Sequence, residues 1–258
     1  MRQHEMLGNE RRQKILELLQ EDGSARVKEL GILFKVSEPT IRQDLEKLEQ
    51  EGYIVREHGG AFLRTVSKQV GTLSLQHMEN LDKKKIIAKK AASFIVPGNR
   101  IILDSGSTIT ELAKCIANIQ NITVITNALN IALIMGTNPT CDLMVTGGEF
   151  KAPTLSLTGE KAAFFFRNIY VDKLFLATGG ISPALDLTYP SISDIIVKSS
   201  MIEVSKEIYL LADSTKFGRA SFASLGSIKR VQYLITDDNI DAEIARRISE
   251  MGVKIIIA

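Results

Sequence analysis

The chain has 258 residues, 45% hydrophobic and 24% charged, with a formal net charge of +2, values ordinary for a water-soluble protein of one large or two unequal domains. No apolar run approaches the roughly 18–20 residues that span a bilayer, and the opening "MRQHEMLGNERRQKI" lacks the apolar stretch of a secretory leader, so a cytoplasmic protein without membrane attachment is expected. Residues 1–64 carry 11 Lys/Arg against 12 Asp/Glu, so any affinity for nucleic acid must come from where the cations sit and not from bulk charge.

The first segment, "NERRQKILELLQEDG", sets Ile15, Leu16, Leu18 and Leu19 at helical spacing, with Gly23 as a stop. "VKELGILFKV" repeats the pattern through Val27, Leu30 and Leu33 or Phe34 on one side, weakened by Gly31. In "VSEPT", Ser37 is a good N-cap, and Pro39 is tolerated in a first helical turn because its missing N–H had no partner to lose. Ile41, Leu45 and Leu48 then form a narrow inward stripe, and Gly52 ends the helix. Three short helices, the last two joined by a tight turn, predict a helix-turn-helix. "YIVREHGGAFL" adds two extended runs around Gly59 and Gly60, adjacent glycines that accept positive φ and suit a hairpin, which makes this ribbon a wing.

A helix that offers its N-terminal end to the major groove needs small or polar groups there, then donors for base edges and phosphates. Ser37, Pro39, Thr40, Arg42, Gln43 and Lys47 supply that set, and Arg56, His58 and Arg64 on or near the wing can reach phosphates. Asp44 and Glu38 would be repelled by phosphates and read as partners of nearby cations. The string Ser37, Thr40, Ile41, Arg42, Asp44, Leu45, Leu48 resembles the recognition helix of DeoR-type bacterial transcriptional regulators, and the likeness covers about 55 residues. It implies a winged helix-turn-helix that binds double-stranded operator DNA, here residues 1–64.

Residues 65–80 show little period and read as a linker into a helix, "DKKKIIAKKAASFI", with Ile86, Ile87, Ala91 and Phe94 or Ile95 on one side and the lysines on a wet face. From residue 81 onward, short apolar runs alternate with helical segments: "RIILDSG", "ITVITN", "DLMVTGG", "KLFLATGG", "IYLLADS", "VQYLITDD" and "VKIIIA". Continuous apolar strands separated by helices predict a doubly wound, mostly parallel α/β domain over 81–258. Cys115 and Cys141 fall in apolar helix-like and strand-like contexts and read as buried free thiols.

Ligands on such sheets bind at the carboxyl ends of the strands. Those ends carry Asp104, Ser105, Gly106, Ser107 and Thr108; Thr126 and Asn127; Thr146, Gly147 and Gly148; Thr178, Gly179 and Gly180; and Asp213 to Lys216. "DSGST" leaves a strand and opens a helix, an arrangement that brings backbone amides, hydroxyls and a helix N-terminus to an anion. Lys216 follows a strand end, and Asp194 and Lys198 lie four apart on one helix, either as a surface ion pair or at a site mouth. These segments resemble the effector domain of the same DeoR-type family, whose fold is similar to ribose-5-phosphate isomerase. The resemblance implies a phosphorylated sugar effector, no cofactor, and a pocket lined by Asp104 to Thr108, Thr126, Asn127, Gly147, Gly148, Gly179, Asp194, Lys198 and Lys216. Thr178-Gly179-Gly180 departs from the Ala-Asp-Gly common in relatives, so one carboxylate is missing. The rival is a sugar-phosphate isomerase using Asp104, Asp194 or Asp213. A recognition helix favours the regulator, and an evenly charged reading head favours a homo-oligomer, a dimer or tetramer.

Overall fold

Among the described residues three separate hydrophobic cores form, one within residues 1–79 and two within 80–258, which is where the chain divides into two units. The computed structural model describes residues 8–22, 24–51, 53–57, 59–63, 79–151 and 154–258. Gly23, Gly52, His58, Arg64 and residues 65–78 of the expected linker lie outside the described residues.

The first unit contains α1 (Gly8–Asp22), β1 (Ser24–Arg26), α2 (Val27–Phe34), α3 (Glu38–Gln50), β2 (Ile54–Glu57) and β3 (Gly60–Leu63). Ile41, Leu45 and Leu48 bury the expected stripe of α3 against Ile15, Leu19 and Leu30. Lys35, with φ 55°, ends α2, and Ser37 Oγ accepts from the Thr40 amide at 3.4 Å to start α3. Of the alternatives Leu33 and Phe34 on α2, Phe34 packs against this core and Leu33 is 58% exposed. The wing also differs in detail. Glu57 pairs with Gly60, so of the two glycines Gly59 lies in the turn, with φ 83°, while Gly60 is a buried strand residue. β1, too short to show a period, pairs with β3 and gives a three-stranded sheet of order β1-β3-β2.

In the second unit, β4 (Arg100–Leu103), β5 (Thr123–Thr126), β6 (Asp142–Val145), β9 (Val171–Ala177), β12 (Ser205–Leu211), β14 (Tyr233–Thr236) and β15 (Lys254–Ile257) form one parallel sheet of order β15-β14-β12-β9-β4-β5-β6. Alternate residues enter different cores: Ile102, Leu174, Leu210 and Leu234 on one face, Ile101, Leu103, Phe175, Leu211 and Ile235 on the other. Burial on both faces is why the inner strands read as unbroken apolar runs, while β6 at the sheet edge is largely exposed. α4 (Leu81–Ala92), α5 (Ser107–Ile116) and α6 (Leu129–Met135) cover one face through Ile87, Ile109, Leu112 and Ile131. α7 (Glu160–Phe164), α8 (Ile192–Glu203) and α9 (Ala242–Glu250) cover the other through Ala162, Val197, Met201 and Ile248. Expected inward, Ile86 is 44% exposed, because α4 turns Ile87, Ala88 and Ala91 to the core. The lysine run is not uniformly wet, since Lys84 is buried. Both cysteines are free, but Cys115 is exposed and Cys141 half-buried, so neither is the buried thiol expected.

From β4 the chain proceeds to β5 and β6 in one direction; from β9 it runs through β12, β14 and β15 in the other. The order therefore reverses between β4 and β9, and the crevice of a doubly wound sheet opens at such a reversal. Smaller pieces border this end: the hairpin β7 (Glu149–Lys151) and β8 (Ser156–Thr158), and an antiparallel sheet of β10 (Gly180–Ile181), β11 (Asp186–Tyr189) and β13 (Ala223–Ser227).

Candidate functional site

On α3, Ser37, Pro39, Arg42, Gln43 and Lys47 are exposed and Thr40 is half-buried. Pro39, Gln43 and Lys47 lie four apart, which at about 100° per residue strings them along the side away from the buried stripe. Arg42 meets Glu38 at 3.1 Å within the same exposed turn. On β2, the Arg56 backbone amide and Nε donate to Glu49 at 3.0 and 2.7 Å, fastening the wing to α3. The side-chain bond from Arg56 holds the Glu49 carboxyl below its usual range. Asp44 is buried and accepts from Arg11 at 2.6 Å and Arg12 at 3.1 Å, so this carboxylate locks α1 to α3 and stays clear of the outer face.

At the strand-order reversal stands Asp104, fully buried just past β4. Lys198 Nζ on α8 reaches its two oxygens at 2.5 and 2.7 Å, and the Ala177 amide at the end of β9 donates to Oδ2 at 3.1 Å. One carboxylate thus joins β4, β9 and α8. Gly106 follows with φ 144°, and a Cβ there would come within 2.8 Å of the Ala177 Cβ, so the loop approaches β9 as only glycine allows. α5 then starts at Ser107 with no side-chain cap, leaving first-turn amides at its positive end beside buried Ser105 and Thr108. Tyr189 donates to the Ala177 carbonyl at 2.7 Å, and Lys198 lies 4.9 Å from its ring centre. Burial, then the Asp104 charge, pushes the Tyr189 hydroxyl well above its usual value.

The remaining rim residues come from neighbouring strand ends. Thr126 Oγ1 accepts from the Ala128 amide, and Asn127 Nδ2 donates to the Leu157 carbonyl, so the β7–β8 hairpin leans on the end of β5. The space beside Gly147 is open; that beside Gly148 is filled by the Thr158 carbonyl and Ala162. Gly179 is hemmed by the Thr188 carbonyl and Ser221 Oγ, at 3.0 and 3.1 Å from where a Cβ would stand. Asp194 and Lys198 are neither a surface pair nor partners, being 6% and 4% exposed. Asp194 instead accepts from Lys151 at 2.5 Å and Ser191 at 2.9 Å. Lys151, on a three-residue strand without apolar period, carried no sequence signal. Lys216 sits half-buried in the short turn Ser214–Lys216 and makes no ion pair with a described residue. Five buried side-chain oxygens find no partner among the described residues: Asn127 Oδ1, Asn130 Oδ1, Thr146 Oγ1, Asp213 Oδ2 and Thr236 Oγ1. All belong to strand ends on this rim or, for Asn130, to the helix leaving it. Among the described residues no cluster of His, Cys, Asp and Glu suits a metal ion, and no helix is long and apolar enough to cross a membrane.

A winged helix-turn-helix joined to an α/β unit with a polar switch-point rim defines a class of ligand-responsive DNA-binding proteins. Residues 11–66 match the DeoR-like helix-turn-helix domain, and residues 79–238 match the DeoR C terminal sensor domain. The chain is 35% identical over 250 residues to the HTH-type transcriptional regulator YulB of Bacillus subtilis (strain 168), spanning 97% of this chain and 96% of the relative. It is 31% identical over 254 residues to the HTH-type transcriptional repressor CsqR of Escherichia coli (strain K12), spanning 98% and 97%. Among solved structures, a D-ribose-5-phosphate isomerase overlays on 53% of this chain and 54% of its own at TM-score 0.39 and 19% identity, too slight a likeness to argue from. The chain belongs to the DeoR family, as a DNA-binding transcriptional regulator with a sensor domain and not an enzyme.

Proposed function

We propose that this regulator represses a carbohydrate-utilisation operon in the cytoplasm, and that a phosphorylated sugar or related metabolite bound at the strand carboxyl ends changes its operator affinity. The observation that carries the reading is the uncapped N-terminus of α5 at the switch point, opened by Gly106 and braced by the buried Lys198–Asp104 pair. Such a terminus receives a phosphate through backbone amides, while hydroxyl-bearing and orphaned oxygens around it suit sugar hydroxyls. Asp104 to Thr108, Thr126, Asn127, Gly147, Gly179, Asp194, Lys198 and Lys216 form the effector side of the proposal; Gly148 joins as packing for the rim. Ser37, Pro39, Thr40, Arg42, Gln43, Lys47 and Arg56 form the DNA side. A repressor role agrees with CsqR, which is named a repressor. With no basic excess in its reading head, the chain works as a dimer or tetramer on repeated or palindromic half-sites.

The test is thermal denaturation against a panel of phosphorylated sugars, since a ligand at about 100 times its Kd stabilises by about 2.7 kcal/mol. At least one sugar phosphate raises the melting temperature of the wild-type chain, and Ser107→Ala or Lys216→Ala blunts that rise. A panel that shifts nothing contradicts the proposal.

A further inference from the structure

Lys83 lies in the first turn of α4, the helix that opens the second unit just after the junction at residues 79 and 80. Its ammonium donates to Ser214 Oγ at 2.6 Å and pairs with the Asp237 carboxylate at 3.0 Å. Asp237 follows β14 and is fully buried. It also accepts from the Ser214 amide at 2.6 Å, the Ser214 hydroxyl at 2.8 Å and the Asn239 side chain at 3.1 Å. Asn80, the first residue of the second unit, donates from Nδ2 to Thr215 Oγ1 at 3.2 Å. Two side chains within four residues of the junction therefore hold consecutive residues of one turn, and that turn ends in Lys216.

This placement is economical for a switch. Lys216 makes no ion pair with a described residue, so its charge is available to an anion on the rim, whereas Ser214 two residues earlier is held by a buried carboxylate. A buried carboxylate keeps its donors because losing one leaves charge unsolvated. Displacement of the turn therefore acts on Asp237 and Lys83, and Lys83 lies on the helix that opens the second unit, four residues past Glu79.

We propose that Lys83, assisted by Asn80, is the positioning residue that makes effector occupancy of the Lys216 turn felt at the junction with the DNA-binding unit. The inference rests on the reading of that turn as part of the effector site. A plain structural brace is the alternative, and it would affect stability without touching the link between the two ligands.

The experiment compares wild type, Lys83→Met, Lys83→Arg and Asn80→Gly as full-length chains. The duplex is one selected by the wild-type chain from a randomised pool. The sugar phosphate is whichever of glucose 6-phosphate, fructose 1-phosphate and fructose 1,6-bisphosphate shifts the wild-type melting temperature most. Lys83→Met is expected to bind sugar phosphate and duplex separately within about threefold of wild type, while the wild-type change in duplex affinity on adding sugar, of the order of 5- to 150-fold, shrinks to about twofold or less. Lys83→Arg restores most of the response, and Asn80→Gly, which keeps the positive φ of that position, loses part of it. If Lys83→Met fails to fold, a full wild-type response in Asn80→Gly overturns the proposal. A folded Lys83→Met that responds as wild type also overturns it. A wild-type chain that binds the duplex but ignores all three sugar phosphates fails earlier, at the effector reading, and takes this inference with it.

Discussion

Asp44 and Arg42 are two residues apart on α3 and do opposite jobs. Asp44 is buried between Arg11 and Arg12, so Asp44→Ala removes the carboxylate that ties both to α3 and should cost about 3 kcal/mol, read as a lower melting transition for the first unit. Arg42 is exposed and, among the described residues, paired with Glu38, so Arg42→Ala should leave stability within about 0.5 kcal/mol and cost about 1–3 kcal/mol of operator discrimination. Unchanged affinity for a selected duplex would remove Arg42 from the reading surface. At Asp237, burial works to raise the carboxyl, but the Ser214 amide, Lys83 and the Ser214 hydroxyl outweigh it and hold it well below the usual range. A depressed folded value means that this stabilisation is complete above the unfolded value of about 3.9 and drains away as pH falls below it. Asp237→Asn should therefore flatten the acid limb of the stability profile below about pH 4; an unchanged limb would contradict the assignment. Asp44 was legible as a structural acid because a carboxylate among phosphates makes no sense. Lys83 and Lys151 were not, because their partners, Asp237 and Asp194, are 154 and 43 positions away.

Among the elements, the loop from β4 into α5 bears the most on the proposed effector site. Gly106→Ala places a methyl group 2.8 Å from the Ala177 Cβ at φ 144°, a strain of about 1–3 kcal/mol, and should abolish the sugar-phosphate melting shift. A variant with normal stability and normal shift would mean the loop has room that its geometry denies. Elements with a strong signal were readable: the α3 stripe of Ile41, Leu45 and Leu48, and the apolar runs of the large sheet, most of whose strands alternate between two cores. β1, β7, β8, β10 and β11 were not, because none carries the apolar run that marks the strands of the large sheet and their pairing is set by partners elsewhere in the chain. The wing shows the same limit at one residue. Gly-Gly announced a hairpin, but which glycine turns depends on the Glu57–Gly60 register.

At the scale of the whole molecule, the DNA-binding head and the sensor share one chain, and regulation requires that the free energy of filling one changes the other. The strand-end residues were legible as a set because polar tripeptides recur after apolar runs. The place of Asp104 at the β4/β9 reversal, against Ala177 and Lys198, was not, because strand order is a property of the sheet and not of any segment. The measurement that tests the account most directly is a titration of a chain-selected duplex with the full-length regulator, with and without the sugar phosphate that most raises its melting temperature. The account predicts that duplex affinity changes by about 5- to 150-fold on adding that sugar, a coupling of about 1–3 kcal/mol. Equal affinity in its presence and absence, with the melting shift intact, would contradict it.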